Sequence, residues 1–277
     1  EQFLPDIKIG KIQGTIVDTV GKDVVIAMLQ SVCMKDYHKD TFEGFGFTII
    51  DETHHICTRT FSKIFFRINT FYVLGLSATL ERKDGLTKVI HWFIGEICYS
   101  VTRTNQTHVT VQKIKYNNET YLDDFPVNRI KKPSIVEAIS ILVNLEDRNR
   151  MLVKHILKCC QMKRKMLVLS DRREHCILLE ERLRSHSNFD NTVGLYLGGM
   201  KPGLLKENES CDVIIGTYSL AHEGLDIPAL DTLLMATPKV DIIQSVGRIL
   251  RETQGKQNDP LVVDIVDSWG CFMSQFN

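Results

Sequence analysis

Short runs of β-branched and apolar residues alternate with helical patterns along almost the whole chain, and this alternation constrains the fold more than any other feature. It is typical of parallel sheets, because each strand of such a sheet reaches the next one through a covering helix. The length of 277 residues corresponds to two domains at roughly 150 residues each. We therefore predict an α/β fold with two lobes, each built on a parallel sheet.

The first lobe is predicted to contain three buried strands, at residues 23–31, 45–50 and 71–76. Polar residues follow each of these runs, and ligands of parallel α/β sheets bind at this carboxyl edge. The composition then changes, since residues 104–133 are polar and rich in Thr and Asn. One strand is predicted in this stretch, at residues 109–116. We interpret this polar stretch as a linker and joining strand.

The strand–helix rhythm resumes after the linker, which sets the predicted domain bounds. We expect a first lobe at residues 1–103, the linker at 104–133 and a second lobe at 134–277. The second lobe is predicted to contain helices at 134–145, 148–160 and 173–185, and strands at 165–170, 191–197, 212–217, 232–237 and 261–266.

Composition excludes several classes of protein. Hydrophobic residues make up 43% and charged residues 25%, which is typical of a chain that buries a core and not of a disordered one. No apolar run approaches the ~18–20 residues that cross a bilayer, so a membrane partner is not expected. The 8 cysteines lack paired C-x-x-C spacing, which argues against zinc and a disulfide framework and favours reduced, intracellular thiols.

An acidic pair, Asp51 and Glu52, directly follows the apolar run that ends at residue 50. Two adjacent carboxylates cannot both face a core, because burying an unpaired charge is costly. Such a pair suits a nucleotide–Mg²⁺ site, in which one carboxylate holds the hydrated metal and the other orients an attacking water. The alternative is a strand end with acidic residues in the following turn. Ser77 and Thr79, which end another buried strand, are uninformative alone.

A helix is predicted at residues 241–251, with Asp241 as its N-cap. Its apolar positions share one face: Ile242, Val246, Ile249 and Leu250. On the opposite face, Gln244, Arg248 and Arg251 fall within about 60° of each other and could donate to phosphate oxygens. The alternative is that these three side chains form a solvent-exposed helix face that binds no phosphate. Upstream, Thr217 ends a strand, and the following loop contains Gly224 and Asp226.

In this order, the segments resemble the motifs of superfamily 2 helicases and translocases. Residues 51–54 (DETH) look like the D-E-x-H box and residues 77–79 like the S-A-T motif. Residues 217–228 are similar to motif V, and residues 244–251 match Q-x-x-G-R-x-x-R of motif VI. The stretch LGLSATLERKDGL is most similar to the XPB-like branch, which includes repair and transcription helicases and relatives in phages and large DNA viruses.

The resemblance implies two RecA-like lobes that use ATP and Mg²⁺. Asp51 would hold the water shell of Mg²⁺, and Glu52 would act as the general base. His54 and Gln244 would meet across the cleft between closed lobes. The remaining implied residues of the ATP site are Arg248 and Arg251 as arginine fingers and Asp226 as a contact of the ribose or of one of these arginines. Gly224 in the same loop would permit close approach of the backbone.

Other residues would contact nucleic acid or transmit the nucleotide state. The implied nucleic-acid contacts are Gln13, Gly14, Gln30 and Ser31 in the first lobe and Thr217 in the second. Ser77 and Thr79 would couple hydrolysis to movement. Contacts of this kind bind phosphate and sugar, so weak sequence preference is expected.

The resemblance therefore implies an ATP-dependent DNA helicase or translocase, with RNA as the alternative substrate and repair or transcription machinery as partners. It implies a nuclear or cytoplasmic location, or the host cytoplasm or virion for a viral protein. Two other interpretations stay open. One is a double-strand DNA translocase that does not unwind, and the other is a non-catalytic nucleic-acid-binding protein.

A phosphate-binding P-loop, G-x-x-x-x-G-K-S/T, is not found in the sequence. Three Gly-Lys pairs begin at residues 10, 21 and 255, and none is followed by Ser or Thr. Because the chain also starts at Glu1, we expect the first lobe to be truncated at its amino end. This stretch by itself is then expected to have negligible ATPase activity.

Overall fold

The computed structural model describes residues 5–78, 85–101, 108–122, 125–128, 131–220, 225, 227–240, 242–249, 256, 258–269 and 272. The chain divides into two compact units, Glu1–Thr102 and Arg103–Asn277. Among the described residues, no helix combines the length and the apolar character that crossing a membrane requires.

The described residues of the first unit form two small sheets, each with a parallel strand pair. Its strands are β1 (Ile9–Gln13), β2 (Ile16–Val17), β3 (Val24–Ala27), β4 (Phe47–Ile50) and β5 (Tyr72–Gly75). Its helices are α1 (Leu29–Met34) and α2 (Thr87–Phe93), with 3-10 segments at Lys39–Phe42, Thr53–Cys57 and Phe61–Phe66. In the first sheet β1 lies between β2 and β3, and it runs parallel to β3. In the second sheet β4 and β5 are parallel.

The strand predicted at residues 23–31 is wrong in its second half. The strand ends at Ala27, and helix α1 begins at Leu29. The reason is that the spacing of the core-facing side chains changes after the strand. Leu29, Val32 and Cys33 all pack against the same core, and Val32 and Cys33 are buried. This i, i+3, i+4 spacing belongs to a helix and not to a strand.

The sheets of the first unit bury one face and expose much of the other. The core face contains Ile12 and Ile50, which share a core with Ile56 of the 3-10 segment, and each of the three is at most 6% exposed. Because successive side chains of a strand point to opposite faces, Ile26 and Ile49 lie on the other face, and they are 65% and 57% exposed. Within the described residues, that face of the first unit is therefore an apolar surface.

The second unit is built on a six-stranded parallel sheet, with strand order β6-β11-β10-β7-β9-β8. Its strands are β6 (Thr110–Tyr116), β7 (Met166–Ser170), β8 (Val193–Tyr196), β9 (Val213–Thr217), β10 (Thr232–Met235) and β11 (Leu261–Asp267). Its helices are α3 (Ile135–Leu142), α4 (Glu146–Gln161), α5 (Arg173–Arg184), α6 (Pro202–Asn208) and α7 (Ile243–Ile249), with a 3-10 segment at Glu119–Leu122. The predicted α/β class with parallel sheets is confirmed.

The central strands of this sheet are covered on both faces, as all-parallel sheets require. Along β7, Met166 and Val168 belong to one apolar core, while Leu167 and Leu169 belong to the core on the opposite face. The strand predicted between the lobes, β6, pairs with β11 at the edge of this sheet. The polar linker region therefore contributes a structural strand to the second unit.

Arg148, at the start of α4, is fully buried with its charge paired. Its Nε and Nη2 atoms each donate to a carboxylate oxygen of Asp267 at 2.8 Å, and Nη1 donates to the Ala236 carbonyl at 2.7 Å. Tyr121 also donates to Asp267, at 2.6 Å, and burial together with this carboxylate raises the pKa of the tyrosine. The network ties α4 to the carboxyl ends of β10 and β11.

His175 on α5 forms a second buried polar contact beneath the same edge. Its Nδ1 lies 2.9 Å from Ser170 Oγ and its Nε2 lies 2.9 Å from Asn149 Oδ1. Burial, with a smaller contribution from the charges of Arg148 and Arg182, lowers the pKa of His175 from 6.5 to about 3. The imidazole is therefore neutral in the folded protein across the physiological range.

We expect the contribution of His175 to stability to decrease in mild acid. The unfolded chain takes up a proton near pH 6.5 whereas the folded protein resists it until about pH 3, so this contribution falls as the pH falls through this window. At pH 5 it is expected to be about 2 kcal/mol smaller than at neutral pH. In urea unfolding, His175→Gln should lose less stability between pH 7 and pH 5 than the unmodified protein does, whereas His108→Gln, at an exposed position, should follow the unmodified protein. An equal loss in the two variants would contradict this expectation.

Candidate functional site

The acidic pair lies at the carboxyl end of β4, as the sequence predicts. Asp51 is exposed, and its Oδ1 accepts a hydrogen bond from the Glu52 N–H at 2.9 Å. The backbone of Glu52 is left-handed, with φ 48° and ψ 51°. For a residue other than glycine this conformation costs roughly 1–2 kcal/mol, so the surrounding contacts must hold it in place.

His54 connects the acidic pair to the end of the neighbouring strand. Its Nδ1 lies 3.2 Å from Glu52 Oε2 and 3.1 Å from Ser77 Oγ. Because β4 and β5 are parallel and paired, the residues that follow them meet at one edge of the sheet. The structure thus brings together Glu52, His54 and Ser77, whereas Thr79 lies outside the described residues.

The donor set at this edge fits a hydrated magnesium ion. Mg²⁺ binds through one or two carboxylates and keeps several waters or substrate phosphate oxygens. Asp51 offers an exposed carboxylate directly beside Glu52, and both follow a strand end. Over the part of the chain that the structure describes, no cluster of three or more His, Cys, Asp or Glu residues forms an all-protein metal cage. The exposed carboxylate of Asp51 is the donor at this edge that would suit such an ion.

A second group of predicted residues comes together at the carboxyl ends of β1 and β3. The Gly14 N–H donates to Ser31 Oγ at 3.0 Å, although the two residues are 17 positions apart. Gln13 and Gln30 are both exposed beside this contact. Sequence reasoning missed Lys35, whose ammonium donates to the Gly14 carbonyl. The sequence feature that could have indicated Lys35 is its spacing of four residues from Ser31, since residues four apart on a helix lie close together.

In the second unit, the guanidinium of Arg248 is hydrogen-bonded to the backbone of the same unit. Its Nη1 donates to the Leu225 carbonyl at 2.6 Å. The apolar face predicted for this helix is borne out where it is described: Ile249 is fully buried, while Val246 and Ile242 pack against the same core. Six predicted positions lie outside what the structure describes: Gly224, Asp226, Asp241, Leu250, Arg251 and the side chain of Gln244.

Thr217 ends β9 and is partly exposed, with its hydroxyl 3.4 Å from Ser219 Oγ. Nearby strand ends form a polar cluster that sequence reasoning missed. Lys239 Nζ lies 3.0 Å from Asp171 Oδ1, and the Asp171 N–H donates to Thr237 Oγ1 at 2.9 Å. The signal was again position, since Asp171 follows β7 and Lys239 lies just beyond β10.

The chain is similar to several known proteins. Residues 2–82 match the family model described as "Type III restriction enzyme, res subunit". A protein of Acanthamoeba polyphaga mimivirus, named as an ATP-dependent RNA helicase, is 36% identical over 263 residues, which is 94% of this chain and 50% of the relative. The ATP-dependent DNA helicase uvsW of Enterobacteria phage T4 is 25% identical over 259 residues, 89% of this chain and 50% of the relative.

Solved structures show the same fold. S. cerevisiae Dbp5 bound to RNA and ADP BeF3 superposes with a TM-score of 0.56 at 14% identity, over 98% of this chain and 66% of that one. At this level of identity the likeness shows the RecA-like fold alone. The chain spans about half the length of the curated relatives that it matches.

Proposed function

Since this chain belongs to the superfamily 2 helicase family, we propose that it forms the motor of an ATP-dependent helicase or translocase. The first lobe would lie in residues 1–103 and the second in residues 134–277. The motor would hydrolyse ATP with Mg²⁺ and move along nucleic acid. The observation that carries the proposal is the contact of His54 with both Glu52 and Ser77, which joins the acidic pair to the neighbouring strand end.

Each residue of the acidic box has a distinct chemical role in this proposal. Asp51 holds the water shell of Mg²⁺, and Glu52 orients and deprotonates the water that attacks the γ-phosphate. Mg²⁺ neutralises charge on the phosphates when it is bound. His54, which contacts both Glu52 and Ser77, links the position of Glu52 to the segment that contains Ser77 and Thr79.

The second lobe supplies cationic and polar groups to the same reaction. Arg248 and Arg251 stabilise charge that develops on the phosphate, and Gln244 assists them. The hydrogen bond from Arg248 to the Leu225 carbonyl keeps its guanidinium ordered until it exchanges this carbonyl for a phosphate oxygen. Asp226 and Gly224, in the loop that also contains residue 225, contact the ribose.

Nucleic acid is proposed to bind at the strand ends that contain Gln13, Gly14, Gln30, Ser31 and Thr217. Hydroxyls, amides and open backbone groups contact phosphate and sugar, so little sequence preference is expected. DNA is the proposed substrate because the residue pattern is most similar to the XPB-like branch. RNA is the alternative, since the mimivirus relative is named as an RNA helicase.

The proposal is tested by ATP hydrolysis of the full-length protein with single-stranded DNA, double-stranded DNA and single-stranded RNA. We expect stimulation that weakens as salt rises, because phosphate contacts release counterions. Arg248→Ala should lower the stimulated rate on the order of a thousandfold. Arg150→Ala, which removes an exposed arginine of α4, should leave the rate unchanged.

The outcomes separate the competing functions. Stimulation by double-stranded DNA without strand separation would favour a translocase that does not unwind. Nucleic-acid binding with no hydrolysis under any of these conditions would overturn the motor and indicate a binding module. A larger stimulation by RNA than by DNA would overturn the proposed substrate and keep the motor.

A further inference from the structure

Thr53 lies between the proposed base and His54, and its side chain is placed unlike those of its neighbours. It is 0% exposed, whereas Asp51 is exposed and Glu52 and His54 are partly so. A hydroxyl that is fully buried needs a hydrogen-bond partner, because leaving it unpaired is costly. Thr53 has two such partners, and both lie at strand ends.

The contacts of Thr53 continue the β4–β5 pairing beyond the last strand residues. Its N–H donates to the Leu76 carbonyl at 2.9 Å. Its Oγ1 lies 2.9 Å from that carbonyl oxygen and 2.9 Å from the Ile50 carbonyl oxygen. The Leu76 N–H also donates to Ile50, at 2.8 Å. A hydroxyl has one hydrogen, so the donation is shared between one carbonyl from each strand end.

The neighbouring strand leaves room for this side chain. A Cβ atom at Gly75 would lie 2.8 Å from Thr53 Oγ1 and 2.9 Å from its Cγ2. Such distances require something to move, so the glycine permits the hydroxyl to reach between the two strand ends. Thr53 therefore packs closely against Gly75 at the end of β5, in a space that a larger residue at position 75 would fill.

The backbone of Glu52 is left-handed, so neighbouring contacts must hold it in this conformation. A strained conformation persists only where its surroundings over-determine it. Thr53 follows Glu52 directly and is anchored through both its backbone and its side chain. On the other side, Leu76 precedes Ser77, the residue that contacts His54. One side chain thus lies between the turn that carries the acidic box and the strand end that carries the S-A-T segment.

We propose that Thr53 is a positioning residue whose hydroxyl holds Glu52 and His54 in register with the end of β5. The inference rests on the proposed ATPase function, since it concerns the placement of that reaction's base. Thr53 acts through its neighbours and does not touch the reacting atoms. The hydroxyl, and not the methyl group, is the essential part.

Three variants of the full-length protein test this role. Thr53→Val keeps the shape but removes the hydroxyl, and Thr53→Ser keeps the hydroxyl but removes the methyl group. Thr48→Val is the matched control, since Thr48 on the same strand β4 loses a hydroxyl contact of 2.9 Å to Thr70 near the start of β5. It removes a hydrogen bond between the same two segments at the end away from the acidic box.

We expect Thr53→Val to change the kcat of ATP hydrolysis and to leave the KM for ATP nearly unchanged. Thr53→Val should lower the kcat of nucleic-acid-stimulated ATP hydrolysis about tenfold, because one hydrogen bond that places the base is lost. The KM for ATP should change by less than about twofold, as should both constants in Thr53→Ser and Thr48→Val. Amide hydrogen exchange at residues 53 and 76 should quicken about tenfold in Thr53→Val alone.

Two results would overturn the inference while the unmodified protein hydrolyses ATP. One is wild-type kcat and amide exchange in Thr53→Val, and the other is an equal defect in Thr53→Ser, which would assign the role to the methyl group. Absence of hydrolysis in the unmodified protein is a different failure. It removes the proposed function, and the inference falls with it, because Glu52 would then have no reaction to position.

Discussion

Replacing Glu52 by Gln is expected to lower nucleic-acid-stimulated ATP hydrolysis about a thousandfold, because the amide cannot accept the proton of the attacking water. The side chain keeps its size, so the turn with φ 48° and the core beneath it should be preserved. ATP binding should also be preserved, since the variant removes one negative charge near the phosphates. Single-turnover hydrolysis, measured together with the Kd for ATP, separates the chemical step from binding.

The matched control for this variant is Glu43→Gln, at an exposed position of the same unit. It makes the same chemical change away from the sheet edge and should leave hydrolysis at the wild-type rate. If Glu52→Gln kept more than about a tenth of the wild-type rate, a group other than Glu52 would be acting as the base.

Replacing Arg148 by Met is expected to destabilise the second unit by about 3–5 kcal/mol, because Asp267 is then a buried charge without its partner. Both side chains are 0% exposed, so water cannot compensate for the lost pairing. The double variant Arg148→Met with Asp267→Leu leaves neither charge unpaired and should regain at least half of the lost stability. Urea unfolding of the two single variants and the double variant gives the coupling as a thermodynamic cycle.

The same helices provide a control at their surface. Arg182 on α5 donates two hydrogen bonds to Glu146 on α4, and the two side chains are 27% and 62% exposed. Because solvent screens exposed ion pairs so that they contribute little to stability, Arg182→Met should cost far less than Arg148→Met. Equal losses in the two arginine variants would show that burial does not determine the contribution of Arg148.

The parts of the fold that follow from local pattern were predictable from the sequence. Strands such as β7 and β9 carry continuous apolar runs, which indicate burial on both faces of a parallel sheet. The strand predicted over residues 23–31 failed because four residues of strand are followed by a helix whose own apolar run continues the pattern. A window that spans the junction contains both periods and cannot separate them.

The candidate site was predictable where residues follow strand ends, and not where contacts depend on the packing of distant elements. The approach of His54 to Ser77 follows from two parallel strands that end at the same edge. Arg148 lies in the stretch EDRNR, which reads as a solvated helix start, and only the docking of α4 on the sheet buries it. The hydroxyl of Thr53 gave no signal, because its two acceptors are backbone carbonyls that no side-chain pattern marks.

The pairing of β6 with β11 has a consequence for how the protein is made on the ribosome. Thr110 pairs with Leu261, so the edge strand is synthesised about 150 residues before its partner. At a translation rate of about 5–20 residues per second, the edge of β6 stays unpaired for roughly 8–30 s. Lys113 and Lys115 lie within this strand, and charged residues discourage pairing of a waiting edge with other nascent chains. The second unit therefore completes its sheet only when nearly the whole of this sequence has emerged.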